Sequence, residues 1–146
     1  MKKKILIVDN AADLLEPLKI FLEMKNYVVK TLTSADCIYQ EIHEFDPDLL
    51  ILDIFLGDED GRDVCKNLRD SVETKHLSIL LFSAASTVLA EYKSCDADDY
   101  LEKPFDLNTL HEKIQSLLKW ASIRMKTFQF EESPLTPLYN KESIKN

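Results

Sequence analysis

Two spacings of apolar residues alternate along this chain. Short apolar runs at residues 5–8, 27–32, 49–52 and 77–82 are bounded by Asp, Asn, Pro or Ser and have the length of strands. The run Leu49-Leu50-Ile51-Leu52 has no polar interruption, which predicts a strand buried on both faces, as in a parallel sheet. Between the runs, apolar residues fall three and four apart, the period of a helix that buries one stripe. Residues 13–24 are the first such segment, with Leu14, Leu18, Phe21 and Leu22 as its stripe. Pro17 is awkward there, because a proline in a helix interior removes a hydrogen bond and costs about 3 kcal/mol. Ser34 is placed to cap a second helix through Phe45 that buries Ile38 and Ile42. Asp46-Pro47-Asp48 turns into the third strand, and residues 61–70 and 84–94 read as the third and fourth helices. A short fifth strand covers 98–102. Asp106 then caps a last helix with apolar positions Leu107, Leu110, Ile114, Leu117 and Leu118. Such alternation predicts an α/β fold, a parallel sheet with helices on both faces.

The pattern weakens near Trp120. Residues 1–120 are therefore expected to form one domain, and 121–146 a C-terminal helix extension and flexible tail. The tail holds Phe128 and Phe130, then Glu131-Glu132-Ser133-Pro134 and Pro137, too few apolar residues to bury a second core. It also has the character of a linker to a further domain.

Bulk properties narrow the function more than the fold. At 146 residues, 45% of them hydrophobic and 30% charged, the chain suits one soluble globular domain. Its formal net charge of −8, with no basic cluster beyond Lys2-Lys3-Lys4, disfavours direct nucleic-acid binding, which needs a concentrated positive patch. The apolar stretches are too short to span a membrane, and the one after the N-terminal lysines is too short for a secretory signal, so a cytoplasmic location is expected. Cys37, Cys65 and Cys95 are scattered, without metal or disulfide spacing, and read as reduced thiols. His43, His76 and His111 are equally scattered. Only two glycines, Gly57 and Gly61, are present, which excludes a P-loop or dinucleotide fingerprint. Ser83 lacks a nucleophile-elbow context, and Asp53-Ile54-Phe55 lacks the second acid used by aspartate-based phosphatases.

The candidate chemistry lies at strand ends. The first strand runs into Asp9-Asn10, the third into Asp53, the fourth into Ser83-Ala84, and the fifth into Lys103-Pro104-Phe105. In a parallel sheet these carboxyl ends share one edge, where open α/β folds bind their ligands. Their order and spacing resemble the receiver domain of bacterial two-component response regulators, over residues 3 to about 118. The resemblance implies a flavodoxin-like, doubly wound five-stranded parallel sheet of order 2-1-3-4-5 with five helices. It implies that Asp53 accepts a phosphoryl group from a sensor histidine kinase or histidine phosphotransfer protein, and that Lys103 contacts a phosphoryl oxygen. Ser83 would be the switch hydroxyl and Tyr100 the switch aromatic. Asp9, Asn10, Asp53 and the Phe55 backbone carbonyl would hold Mg²⁺. The only enzymatic act implied is the domain's own phosphorylation and dephosphorylation.

The sequence departs from the family pattern at Asn10, which stands where a carboxylate ligand is expected and brings no charge to the ion. Phe55 and Ala85 flank the expected phosphoryl site and cannot orient a hydrolytic water, which implies a long-lived phosphoryl group. Output would pass through a surface of helix four, strand five and helix five, including Val88, Glu91, Tyr92, Tyr100 and Phe105, to a downstream protein target. A phosphorylation-dependent homodimer is one form that output could take. The alternative is a degenerate receiver, a binding module that acts without phosphorylation.

Overall fold

The computed structural model of the protein describes residues 1–84 and 95–131, with side chains through 124. Five parallel strands, β1 (Lys4–Val8), β2 (Val28–Leu32), β3 (Leu49–Asp53), β6 (Ser78–Ser83) and β7 (Asp99–Glu102), form a sheet of order β2-β1-β3-β6-β7. Taken as the five principal strands, this is the expected order 2-1-3-4-5. The helices are α1 (Ala12–Met24), α2 (Ile38–Phe45), α3 (Gly61–Asp70) and α4 (Leu107–Glu131). The expectation of five helices is thus corrected to four among the described residues, since the segment expected as the fourth, 84–94, falls almost wholly outside them. An unanticipated antiparallel hairpin, β4 (Phe55–Leu56) with β5 (Glu59–Asp60), turns through Gly57, whose φ of 72° suits a residue without a side chain.

Alternation along the central strands explains why both sheet faces need helices. Ile5, Ile7, Leu49, Ile51, Leu80 and Phe82 point into one core with Leu15, Leu18 and Leu22 of α1 and Leu110, Ile114, Leu117 and Leu118 of α4. Leu6, Val8, Leu50, Leu52, Ile79 and Leu81 point into the other, with Ile38 of α2 and Val64, Cys65 and Leu68 of α3. Every one of these strand side chains is fully buried. Each contributes roughly 1.5–3 kcal/mol of burial, so exposing either face would unfold the domain.

Several local expectations are corrected by this packing. The buried stripe of α1 is Leu15, Leu18 and Leu22, while Leu14 and Phe21 lie at its margin, because the sheet sets which of two overlapping stripes faces inward. Pro17 does lie inside α1, but it and Asp13, whose carbonyl would have bonded the missing N–H, are exposed and within reach of water. Ser34 does not cap α2. Its Oγ accepts the Asp36 N–H at 3.4 Å in a preceding turn, and the helix begins at Ile38. Leu107, at the start of α4, is exposed.

The edge of the sheet opposite the strands' carboxyl ends is tied by Arg69 of α3. Its guanidinium donates to the backbone carbonyls of Asp96, Lys75 and Leu77 and to Asp98 Oδ2 at 2.8 Å. The same Asp98 oxygen accepts the Ile79 N–H, and Arg124 of α4 reaches Asp98 Oδ1 at 3.3 Å. Arg69 is nearly buried and Arg124 half exposed. Arg69→Met, which leaves Asp98 and three carbonyls short of a donor, is expected to cost about 3 kcal/mol in urea unfolding. Arg124→Met is expected to cost less than about 1 kcal/mol. Equal effects would show that the ties at Arg69 are not structural.

Candidate functional site at the carboxyl edge

β1 and β3 end side by side, in register from Ile5 opposite Leu49 to Val8 opposite Leu52, which sets Asp9 beside Asp53. Both acids are buried, Asp9 fully and Asp53 to 4% exposure. Two carboxylates in an apolar sheet edge repel each other and lose hydration, so they need a cation. Lys103 supplies it. Its Nζ lies 2.6 Å from Asp9 Oδ2 and 3.1 Å from Asp53 Oδ2. The lysine reaches them because β7 continues the β6 pairing past its last residue, with the Lys103 N–H donating to the Ser83 carbonyl at 2.7 Å. The Phe82 ring, 5.7 Å from Nζ, adds a π face beside the ammonium.

Backbone groups hold the other carboxylate oxygens. The Ala11 N–H donates to Asp9 Oδ1 at 2.8 Å, and the Phe55 N–H to Asp53 Oδ1 at 3.1 Å. The chain can turn this tightly after Asp53 because Gly61 backs onto it. Gly61 donates its N–H to the Ile54 carbonyl at 2.7 Å, and a Cβ there would lie 2.1 Å from the Asp53 carbonyl oxygen. Asp60 caps α3 by accepting the Arg62 N–H and pairs with the Arg62 side chain.

The structure therefore brings Asp9, Asp53 and Lys103 into direct contact. Ser83 is buried at the end of the neighbouring strand β6. Asn10 follows Asp9 and is exposed, and the Phe55 side chain is half exposed beside Asp53. Tyr100 is not among the carboxylates. It lies on β7 opposite Leu81, packed against the α2–α3 core, with the Lys113 ammonium 5.6 Å from its ring. Sequence reasoning missed the role of Gly61, although a glycine in so glycine-poor a chain was itself a signal. Among the described residues, no group of three or more His, Cys, Asp or Glu side chains gathers as a metal site. No helix among them is long and apolar enough to cross a membrane.

Residues 5–115 match the response regulator receiver domain family. The chain belongs to this family. As a receiver it is a regulatory domain of two-component, phosphorelay signalling and not a turnover enzyme. It is 34% identical over 122 residues to the nisin biosynthesis regulatory protein NisR of Lactococcus lactis, covering 82% of this chain and 52% of that protein. It is 35% identical over 118 residues to the transcriptional regulatory protein BasR of Escherichia coli, covering 80% and 52%. The receiver thus spans about half the length of these curated relatives. Among solved structures, a two-component response regulator from Clostridium difficile superposes with a TM-score of 0.73 at 29% identity, covering 81% of this chain and 97% of that one. NtrX from Brucella abortus, at 21% identity, shares the fold with a TM-score of 0.83 over 96% of this chain and 31% of that one.

Burial, and next the adjacent Asp9 charge, push the Asp53 pKa above the ordinary carboxylate value, against the opposing pull of Lys103 and the Phe55 N–H. The folded receiver therefore binds this proton more tightly than the unfolded chain. The associated stability is full below the unfolded carboxylate pKa, about 4, and is lost as pH rises through the raised folded value. Asp53→Asn is accordingly expected to unfold at higher urea than wild type at neutral pH, by on the order of 1 kcal/mol. The advantage should shrink as pH falls toward 4. A difference that stays constant across that range would contradict the burial argument.

Proposed function

We propose that this receiver accepts a phosphoryl group on the Asp53 carboxylate from the phosphohistidine of a sensor histidine kinase or histidine phosphotransfer protein, and signals the change to a downstream protein. The observation that carries this reading is the Lys103 ammonium held between the buried Asp9 and Asp53 carboxylates. A carboxylate is a competent nucleophile for phosphoryl groups, and the transfer needs in-line placement and positive charge more than acid–base help. An Asp53 oxygen attacks phosphorus, the P–N bond to the donor imidazole breaks, and Lys103 remains beside the added oxygens. Ser83, buried on the next strand end, would then hydrogen-bond a phosphoryl oxygen. Tyr100 would turn inward in response, changing a surface that includes Phe105, whose ring lies 4.9 Å from Phe82. Of the other residues assigned to that surface, Val88, Glu91 and Tyr92 fall outside the described residues.

The oxygen donors at the edge suit Mg²⁺, which is commonly held by one or two carboxylates together with phosphate oxygens. Asp9, Asp53, the Asn10 amide and the Phe55 carbonyl would hold it. When bound, the ion would supply positive charge opposite the phosphoryl oxygens. Asn10 contributes a dipole where a charge would bind more strongly, so this site is weak and phosphorylation slow. That same residue is the one observation favouring a degenerate receiver.

Intact-mass measurement after incubation with a small acyl phosphate is expected to show one Mg²⁺-dependent phosphoryl adduct, absent in Asp53→Ala. No adduct even at high Mg²⁺ would select the degenerate module. Asn10→Asp is expected to tighten Mg²⁺ binding about tenfold or more, as a charge near the ion is worth at least ~1–2 kcal/mol at a partly exposed site. Micromolar binding by the wild type would refute the weakened site. With Phe55 shielding the acyl phosphate, the adduct should persist for minutes or longer, and Phe55→Asn should shorten its life. A wild-type half-life of seconds would overturn the shielding argument.

A further inference from the structure

Two buried nucleophiles take no part in the edge chemistry. Cys65 lies on α3, and Cys95 lies in the turn before β7, 30 residues further along the chain. Cys65 is fully buried and Cys95 is 1% exposed, and both belong to the core beneath α2 and α3. The fold nevertheless brings them together. The Cys65 S–H donates to the Cys95 carbonyl oxygen at 3.3 Å, and the two thiols lie near enough to shift each other's titration. Cys37, the remaining cysteine, is exposed.

We propose that Cys65 and Cys95 form a dithiol site that hydroperoxides oxidise to an intramolecular disulfide. Cys95 is the attacking group. Interactions with the Cys65 thiol, the Ala97 and Cys95 backbone N–H groups and the nearby Arg62 together outweigh burial and bring the thiol down to about 7. Its hydrogen bond to Cys95, and then burial, push Cys65 upward, so it stays protonated as the resolving thiol. The Cys95 thiolate attacks one peroxide oxygen and the O–O bond breaks, giving a sulfenic acid and releasing hydroxide or alkoxide. The Cys65 sulfur then displaces the sulfenic oxygen, which leaves as water with the Cys65 proton. Two electrons pass from the thiols to the peroxide.

Peroxide would reach Cys95 on local opening of this turn, where the Asp96 side chain is 87% exposed although Arg69 holds the Asp96 carbonyl. Local opening of such a turn requires far less than global unfolding. The new bond would join α3, whose first residue Gly61 supports the Asp53 turn, to the segment that leads into β7 and Lys103. Oxidation would thus constrain two elements that frame the carboxylate–ammonium cluster.

The test uses the full chain carrying Cys37→Ser, which removes the exposed thiol while leaving the pair intact, treated with hydrogen peroxide and then digested without reductant. The expected result is loss of the mass of two hydrogens from the intact protein, a linked peptide joining Cys65 to Cys95, and full reversal by dithiothreitol. Cys65→Ser in the same background should instead leave Cys95 carrying oxygen atoms. If the pair remains as free thiols, or Cys95 gains oxygen without linkage while Cys65 is present, the proposal is wrong. The linkage is read whether or not Asp53 accepts phosphate, so failure here would leave the phosphoacceptor reading standing.

Discussion

Two carboxylates cannot be buried side by side at a sheet edge unless a cation comes with them, and this one requirement organises the molecule. Removing an acid from water into a protein interior costs several kcal/mol even after relaxation. The compensating charge, Lys103, is 94 residues from Asp9 and 50 from Asp53 in sequence. It can arrive only if β7 lies parallel beside β6, with β6 beside β3 and β3 beside β1. The apolar strands make that order stable, and the ion cluster gives it a consequence. The compensation is incomplete, because two acids share one base and Asp53 remains reluctant to ionise. The folded state holds this edge under electrostatic tension that a further cation would relieve.

Adding a phosphoryl group to Asp53 would bring more negative charge to a place already short of positive charge. On the proposed reading, Lys103 would move toward the new oxygens and loosen its hold on Asp9. That exchange of partners is a natural origin for a two-state response, since the lysine backbone is itself bonded to the Ser83 carbonyl. On that reading, a movement that reached the Lys103 backbone would pass to the end of β6 through this bond. Asn10 sharpens the problem. In the proposed metal site, a neutral amide beside Asp9 would leave more of the neutralisation to Lys103 than a third acid with a tightly held ion would.

The sheet was legible in the sequence because four of its five strands are short apolar runs ending in polar groups, a pattern that depends on local composition. The meeting of Asp9, Asp53 and Lys103 was legible for a related reason: the two acids follow such runs, and Lys103 follows the short fifth strand. The corrections concern features set by distant neighbours. Leu14 and Leu15 are equally good candidates for a buried stripe until the sheet decides between them. Ser34 is as well suited to a turn as to a helix cap, and here a turn precedes α2. The hairpin of β4 and β5 is too short to show a period. Gly61 matters because of what its Cβ would strike, and the Cys65–Cys95 contact crosses from a helix to a turn, so neither leaves a repeat along the chain.

The two edges of the sheet divide the labour of the fold. At the edge opposite the acids, one carboxylate, Asp98, accepts from Arg69 of α3, from the β6 backbone and from Arg124 of α4. The partners there are matched, with guanidinium donors distributed over one acid and several carbonyls. At the carboxyl edge the charges are mismatched and the anchoring residue is a lysine, whose ammonium is a mobile point charge where arginine would be a planar fork. A domain built this way can rearrange at one end without losing its strand order, because the bonds that fix α3, β6 and α4 lie at the other. The long α4 joins the two regimes. Leu110 and Ile114 are packed in the core, and Arg124 is bonded to Asp98 and Ser78 where the strands β7 and β6 begin.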